Sequence, residues 1–303
     1  MRLTTAIATL IPIASVSAQS AGKSILGTQR KRESNTNGKV SSSDFNNIIH
    51  YTSYAAAAYA ETCPTLPFGS SLITSFNYTS TDTKALLFHE PSSNQVIVAF
   101  RGSAFPRNLD EDFQFSLTPL TLPGTSCSSC QVHQGFQNVY SAMANDVSSA
   151  VSSALSSYAG SSLLVTGHSL GGGLASLAAS SLAGQGHQLT VYTYGEPRNG
   201  NPAFTSYINN QVPNYYRVTH YNDGVPQIPP QLLGFQHHGT EYFESQQNDN
   251  TAASTLKCPG TDPTNCNSAQ DFGKDPINGA HIAYSNFVVA GVLFNPACGY
   301  VAP

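Results

Sequence analysis

The stretch SSLLVTGHSLGGGLASLAAS, residues 161–180, decides the fold of this chain. Its apolar run at residues 163–165 predicts a buried strand, and the small residues and spaced leucines after Ser169 predict a helix. Gly167 and Gly171 flank the serine with the Gly-x-Ser-x-Gly spacing of a nucleophile elbow, a sharp strand-to-helix turn that holds the serine hydroxyl above the sheet. Side chains at these glycines would collide with the neighbouring strand and helix, so the spacing predicts Ser169 as a nucleophile.

Strands and helices alternate along the rest of the chain. Hydrophobic periodicity predicts helices at residues 50–63, 134–158 and 202–209, and strands at residues 94–103, 188–198 and 215–230, the last of which runs into a proline-rich loop. Residues 235–245 alternate as in an outer strand or a hairpin arm. This order predicts an α/β fold with a mostly parallel central sheet covered by helices on both faces.

The composition and the N-terminus indicate a secreted globular protein. The 303 residues are 40% hydrophobic and only 10% charged, with a net charge of −4, which predicts a large core and argues against nucleic-acid binding. Arg2, the apolar residues 7–16 and the small residues ending at Ala18 predict a signal peptide over residues 1–18, too short to span a membrane. The secreted protein is expected to be extracellular.

The basic cluster Arg30-Lys31-Arg32 has two interpretations. It is either a processing site that would release a pro-segment, residues 19–32, or a solvated charge cluster. Residues 33–303 are then expected to form a single catalytic domain.

Six cysteines in a secreted chain indicate disulfides rather than a metal site. The cysteine pattern alone does not choose among the many connectivities that six cysteines allow. The sequon Asn77-Tyr78-Thr79 predicts a glycan on a surface segment. No metal and no organic cofactor are expected.

A nucleophilic serine needs a base, and the base needs an orienting carboxylate. In α/β-hydrolases these follow in the order serine, acid, histidine, and the backbone N–H after the serine (here Leu170) stabilises the oxyanion. Asp223 comes just after a predicted strand, and His281 comes after all plausible acids. The spacing alone leaves other acids and histidines open: Asp249, Asp262, Asp271, Asp275, His237 and His238.

Eight segments resemble the fungal class 3 lipase family, which comprises filamentous-fungal lipases and related feruloyl esterases. The segments are AAAYAETC, VAFRGS, RNLDEDFQFSLTPL, CQVHQGF, VTGHSLGGGLASLAA, YTYGEPRNGNPAF, YRVTHYNDGVPQIPP and GAHIAYSNF. The resemblance as a whole runs from about Tyr51 to Cys298. The resemblance implies the α/β-hydrolase fold with a short lid over the active site. It also implies Ser169 as nucleophile, Asp223 as orienting acid and His281 as general base.

The same resemblance implies the surroundings of the serine. Ser103 would join Leu170 as the second oxyanion donor, and Asp112 would hold the Ser103 hydroxyl. The implied disulfides use all six cysteines in the pairs Cys63–Cys298, Cys127–Cys130 and Cys258–Cys266. The remaining histidines, His133, His168 and His220, are expected to be structural.

The segment between Ser103 and Leu120 corresponds to the lid, where Leu109, Phe113 and Phe115 would contact substrate. Family lipases usually carry a tryptophan at the position of Leu109, and this chain contains no tryptophan. The feruloyl esterases carry at the position of Phe115 a tyrosine whose hydroxyl meets the phenolic end of their substrate. A site without that hydroxyl loses discrimination for polar substrates.

These features favour a secreted triacylglycerol lipase that acts as a monomer on lipid esters, at an oil–water interface. The alternative is a feruloyl esterase that releases hydroxycinnamic acids from plant cell walls, because LTPLTLPGTSCSSCQVH resembles that branch. A third hypothesis is an inactive lipid-binding homologue. The intact set of Ser169, Asp223 and His281 argues against it.

Overall fold

A nine-stranded sheet forms the core of the described part of the chain, and helices cover both of its faces. This computed structural model describes residues 38–60, 63, 65–103 and 115–290, all of which belong to one compact unit, Asn35–Pro303. The expected signal peptide and pro-segment lie outside the described residues. Within that described part, no helix is both long and apolar enough to cross a membrane.

The strands of the large sheet are β1 Gly38–Lys39, β2 Ser71–Tyr78, β3 Thr83–Glu90, β4 Gln95–Phe100, β7 Ser162–His168, β8 Leu189–Tyr194, β9 Tyr215–His220, β10 Thr240–Glu244 and β11 Thr255–Cys258. Two small antiparallel pairs consist of β5 Leu117–Pro119 with β6 Gln131–His133, and β12 Ala283–Tyr284 with β13 Phe287–Val288. The α-helices are α1 Ser42–Ala57, α2 Gln134–Ser157, α3 Leu170–Gly184, α4 Pro202–Gln211 and α5 Gly279–Ile282.

The strand order is β1-β11-β10-β9-β8-β7-β4-β3-β2. The five central strands, from β10 to β4, run parallel to one another, and the two strands at each margin are antiparallel. The mostly parallel sheet predicted from the alternation of strands and helices is confirmed. Parallel strands end at one edge of a sheet, so the segments after β4, β7, β8 and β9 all begin at the same carboxyl edge, where ligand sites of such sheets lie.

Alternation along each strand assigns its side chains to one of two cores. In β4, Val96 and Val98 belong to the apolar cluster shared with α2 and α3, whereas Ile97 and Ala99 belong to the cluster shared with α1. All four side chains are fully buried. This two-sided burial explains why β4 is a continuous apolar run rather than an alternation of apolar and polar residues.

Two predicted elements differ from the structure. The first helix begins at Ser42, earlier than predicted, because Ser41 caps the backbone N–H of Asp44 at 3.0 Å and Phe45 packs into the core, and it ends at Ala57. The segment predicted as an outer strand or hairpin arm contains β10, which pairs antiparallel with the next strand along the chain, as a hairpin arm does, but is parallel to β9 on its other side and so lies inside the sheet rather than at its margin. It is an inner strand because β11, a segment for which we made no strand prediction, covers its other side.

Candidate active site

Ser169 occupies a strained turn between β7 and α3. Its backbone lies at φ 60° and ψ −131°, a region that costs a non-glycine residue about 1–3 kcal/mol. Two backbone hydrogen bonds hold the turn, from Ser169 N–H to the Tyr194 carbonyl at 2.9 Å and from Gly172 N–H to the Ser169 carbonyl at 2.8 Å. The neighbouring strand and the first turn of the helix therefore fix the serine in place.

The two glycines of the elbow permit close backbone contacts. A Cβ atom at Gly167 would collide with the carbonyl oxygen of Gly171, and one at Gly171 would collide with the carbonyl oxygen of Phe100. Both positions therefore require glycine for the reason that the sequence analysis gives. The strand, the helix and β4 meet at this point without room for another side chain.

The structure brings His281 and Asp223 to the serine. His281 Nε2 lies 2.9 Å from Ser169 Oγ, and His281 Nδ1 lies 3.0 Å from both carboxylate oxygens of Asp223. A carboxylate can only accept, so Nδ1 carries the proton and Nε2 is the acceptor for the serine hydroxyl. All three side chains are buried. The arrangement can remove the serine proton and stabilise the imidazolium that results.

Asp223 is held by donors on several elements. The Tyr284 hydroxyl donates to its Oδ2, and the N–H of Val225 donates to its Oδ1 at 2.9 Å. Asn267 Nδ2 donates to its backbone carbonyl at 2.9 Å. Burial, together with the neighbouring carboxylate of Asp223, raises the pKa of Tyr284 well above its ordinary value, so its hydroxyl remains a proton donor.

The backbone of His281 is held by His168, the residue before Ser169. His168 Nε2 donates to the carbonyl oxygen of His281 at 2.7 Å, and its Nδ1 accepts from the Tyr59 hydroxyl at 2.8 Å. Burial, with a smaller contribution from His281, lowers the pKa of His168 well below its ordinary value. This neutral histidine fits the structural role expected for it, and in that role it links the elbow to the backbone of His281.

The acids and histidines that spacing left open have other partners or lie at the surface. Asp262 forms an ion pair with Arg198 at 2.8 Å and accepts the backbone N–H of His237. His238 contacts the buried carboxylate of Glu196 at 2.9 Å. The remaining three acids are exposed: Asp249, Asp271 and Asp275. Of the candidates considered, Asp223 and His281 are therefore the pair hydrogen-bonded into the serine.

Two groups beside the serine can receive a negatively charged oxygen. Ser103 Oγ is buried and has no hydrogen-bond partner among the described residues. Leu170 is the first residue of α3, so its backbone N–H has no intrahelical acceptor. A small pocket joins Ser103 to the serine and histidine, and its lining residues are Tyr59, Ser103, His168, Ser169, Ile277, His281 and Ala290.

Three of the expected lid and support residues, Leu109, Asp112 and Phe113, lie outside the described residues. Phe115 lies within them and is 36% exposed. Among the groups of His, Cys, Asp and Glu that the structure describes, none is arranged to hold a metal ion.

Two of the implied disulfides are present, Cys127–Cys130 and Cys258–Cys266. Cys63 also takes part in a disulfide, but its expected partner, Cys298, lies outside the described residues. Asn77 is exposed on β2, where a glycan would meet solvent.

The residues that sequence reasoning missed are the tyrosines around the triad-like arrangement. Tyr284 follows His281 by three positions and reaches the Asp223 carboxylate, and Tyr59 reaches His168 from the end of α1. No spacing rule of the elbow motif includes them. The signal in the sequence that could have indicated Tyr284 is its position three residues after the candidate base His281, which places its side chain near Asp223.

Comparisons with known proteins find similar sequences and similar structures. Residues 97–233 match the family described as Lipase (class 3). Secreted mono- and diacylglycerol lipase 1 of Fusarium solani is 32% identical over 263 residues, which cover 81% of this chain and 77% of that protein.

Two solved structures are similar over most of this chain. A triacylglycerol lipase from Penicillium expansum superposes with a TM-score of 0.76 at 26% identity, covering 87% of this chain and 100% of that one. A further structure, described as a triacylglycerol lipase whose catalytic centre is a serine protease triad, superposes with a TM-score of 0.74 at 26% identity and the same coverage. The architecture is therefore the expected α/β-hydrolase fold.

Proposed function

This chain belongs to the class 3 lipase family, and we propose that it is a secreted triacylglycerol lipase that uses Ser169, His281 and Asp223 as its catalytic residues. The observation that carries the proposal is the pair of contacts of one imidazole. His281 lies 2.9 Å from a serine hydroxyl on one side and 3.0 Å from a buried carboxylate on the other. Members of this family are carboxylic ester hydrolases, and this pair of contacts is what ester hydrolysis by a serine requires.

The first step forms an acyl-enzyme. His281 Nε2 accepts the Ser169 proton while Oγ attacks the ester carbonyl carbon, and the carbonyl oxygen becomes an oxyanion. His281 then donates that proton to the departing alcohol oxygen as the carbon–oxygen bond breaks. Asp223 accepts the Nδ1–H throughout and stabilises the imidazolium. Its carboxylate is buried and is kept in one orientation by two donors, the Tyr284 hydroxyl and the Val225 N–H.

The oxyanion is stabilised by groups that are already in place. Leu170 N–H lies at the start of α3, where the helix dipole also favours negative charge. Ser103 Oγ is buried in the same pocket and can donate its hydroxyl hydrogen. In the second half of the reaction water attacks the acyl-enzyme, with His281 again as base, and releases the fatty acid.

Acylglycerols are the favoured substrates. Two similar proteins are named as a mono- and diacylglycerol lipase and as a triacylglycerol lipase. The described end of the expected lid carries Phe115, which has no hydroxyl for a phenolic group. The feruloyl esterase alternative therefore lacks the polar contact on which selection of a hydroxycinnamate would depend.

Secretion is supported by the N-terminal pattern and by the name of the Fusarium solani relative, which describes a secreted protein. Expression of the full chain in a filamentous fungus followed by N-terminal sequencing of the protein in the medium tests this part. A mature N-terminus after Ala18 or after Arg32 would support it. Retention of the full chain inside the cell would contradict it.

The catalytic proposal is tested by rates on emulsified triolein, emulsified diolein and soluble methyl ferulate, measured side by side. We expect triolein to be cleaved and the ferulate to be cleaved far more slowly. Ser169→Ala should lower the triolein rate by about 10⁶-fold, as expected when an activated serine nucleophile is removed. Ser180→Ala is the matched control, because this buried serine lies on the same helix and its hydroxyl donates to the Leu177 carbonyl at 2.8 Å rather than to a residue of the site.

Each of three results would contradict part of the proposal. Activity of Ser169→Ala close to that of the unsubstituted protein would remove the serine from the mechanism. Faster cleavage of methyl ferulate than of triolein would favour the feruloyl esterase alternative. Diolein cleavage with negligible triolein cleavage would restrict the substrate class to partial glycerides.

A further inference from the structure

Two adjacent leucines project into solvent from the loop after β9, the same loop that carries Asp223. Leu232 is 86% exposed, the highest value among the large apolar side chains of the described residues, and Leu233 is 43% exposed. Single exposed leucines are ordinary, whereas contiguous exposed apolar surface marks interaction sites.

The turn that presents them is closed by backbone hydrogen bonds. It is a 3₁₀ turn, Gln231–Leu233, in which Leu233 N–H donates to the Pro230 carbonyl at 3.1 Å and Gly234 N–H donates to the Gln231 carbonyl at 2.9 Å. Gly234 adopts φ 88°, which reverses the chain directly after the leucines. The exposure of Leu232 is thus set by the backbone of the turn.

Both ends of this turn are anchored in the protein. Upstream, the buried Arg198 guanidinium donates to the Pro229 carbonyl at 3.0 Å. Downstream, Phe235 is buried and Gln236 N–H donates to the Gly200 carbonyl at 2.8 Å. The apolar pair is therefore presented before any ligand arrives.

A short series of backbone bridges connects the turn to the segment that contains Phe115. Gly200 bridges both Gln236 and Val132 of β6, and β6 pairs with β5. The N–H of Gln134, next to β6, donates to the carbonyl of Ser116 at 2.9 Å, and Ser116 adjoins the exposed Phe115.

Gly234, directly after the two leucines, lies close to the start of β5. A Cβ atom at Gly234 would lie 3.4 Å from Leu117 Cδ1, the side chain at the start of β5. The exposed leucines and Phe115 hence belong to neighbouring segments. These segments follow β9 and β4, which run parallel to β7 and so end at the same edge of the sheet as the strand that precedes Ser169.

The charge pattern indicates the kind of partner. Residues 115–145 and 224–240 contain no Asp, Glu, Lys or Arg. Recognition of anionic lipid headgroups relies on lysine and arginine near the surface, and these two segments have none. Insertion of apolar side chains into a surface of neutral lipid needs no such charges.

We propose that Leu232 and Leu233 are a fixed lipid contact, which inserts into an uncharged acylglycerol surface and holds the Ser169 pocket against it. This inference rests on the proposed function, because it names the surface on which that site works. The contact belongs to the loop after β9, which carries Asp223, and is distinct from the expected lid. It predicts binding that is insensitive to salt.

The test uses the Ser169→Ala variant of the full mature protein, so that binding is measured without hydrolysis. The probe is triolein droplets coated with phosphatidylcholine, and bound protein is separated by flotation. Adding Leu232→Ser should lower the partition coefficient by about tenfold or more, the fold-change that loss of one inserted leucine gives. Raising NaCl from about 0.05 M to about 0.5 M should change binding less than about twofold.

Leu72→Ser is the matched control. Leu72 is 45% exposed, and its partner in β3 is Phe88, which in turn faces Ile97 near the start of β4. It thus lies toward the opposite edge of the sheet from Ser169, and its replacement should leave droplet binding unchanged.

Three outcomes would overturn the proposal: equal droplet binding with and without Leu232→Ser, equal losses for Leu232→Ser and Leu72→Ser, or binding that requires phosphatidylglycerol and is lost at high salt. In the protein with Ser169 intact, Leu232→Ser should lower the ratio of triolein rate to soluble-ester rate by about tenfold.

Hydrolysis of 4-nitrophenyl acetate by the unsubstituted protein separates the proposed esterase function from the proposed lipid contact. Its absence would refute the proposed function, whereas the flotation result tests the lipid contact independently.

Discussion

Replacing His168 with leucine should damage both stability and catalysis, because this buried histidine serves two buried partners. It donates to the His281 carbonyl at 2.7 Å and accepts from the Tyr59 hydroxyl at 2.8 Å. In His168→Leu both partners lose this contact in a buried environment. Each such loss costs about 1–3 kcal/mol, so the free energy of unfolding should fall by about 2–6 kcal/mol.

The double variant His168→Leu/Tyr59→Phe isolates the contact between the two side chains. It has no tyrosine hydroxyl left to lose a partner, so its destabilisation should be about 1–3 kcal/mol smaller than the sum of the two single variants. Urea unfolding followed by far-UV circular dichroism measures all four proteins, since the chain contains no tryptophan for fluorescence. His168→Gln should recover part of the loss, because its amide can both donate and accept.

A purely structural role would leave turnover of the folded protein unchanged. The hydrogen bond to the His281 carbonyl also sets where the imidazole sits, and misplacement of a catalytic group by about 1 Å costs about 10²-fold. We therefore expect kcat on a soluble ester to fall by about 10²-fold in His168→Leu under conditions where it remains folded. Unfolding energies that add without coupling, together with an unchanged kcat, would refute this account of His168.

Further substitutions test the other contacts. Asp223→Asn should keep the fold but lower kcat on a soluble ester by about 10⁴-fold through the wrong imidazole tautomer, and a loss below tenfold would contradict its role. Gly195→Ala, at φ 58°, places a methyl group 2.9 Å from the Asp223 carboxylate and 3.0 Å from His281, and should lower kcat by about 10²-fold in the same assay. Burial lowers the pKa of His133 to about 4. Between pH 6.5 and 4, the His133 imidazole therefore binds a proton in the unfolded chain but not in the folded one. The free energy of unfolding should fall as the pH drops through that window. Urea titrations at several pH values should show a shallower fall in His133→Asn, by up to roughly 3 kcal/mol, and an unchanged slope would exclude this contribution.

The sequence predicts those parts of the site that depend on local geometry. The elbow is such a part, because Gly167, Ser169 and Gly171 lie within one turn and their constraints are steric and local. The mostly parallel sheet is another, because apolar runs such as β4 and β7 are buried on both faces. Parallel strands that end at one edge then predict that loops distant in sequence meet above them.

The partners of the serine could not be chosen in the same way. Spacing left several acids open, and what distinguishes Asp223 is its donors, Tyr284 and Val225, together with the contact to His281. These contacts depend on how α5 and the strand pair β12–β13 fold back onto the loop after β9. The inner position of β10 was missed for a related reason, because a strand's neighbours depend on long-range pairing that its own residues do not encode.

The loop after β9 carries both the proposed catalytic acid and the proposed lipid contact, and each of these roles limits how far the loop can move. Near its start lies Asp223, whose carboxylate must stay fixed against His281, and further along lies Leu232, which would enter lipid. A flexible loop could not serve both, because any movement on lipid contact would be transmitted to the acid. The hydrogen bond from Arg198 to the Pro229 carbonyl fixes the loop between Asp223 and Leu232, so the leucines can enter lipid while Asp223 stays in place. Loss of that anchor in Arg198→Gln should therefore lower turnover on a soluble ester as well as on triolein, whereas Leu232→Ser should act chiefly on triolein.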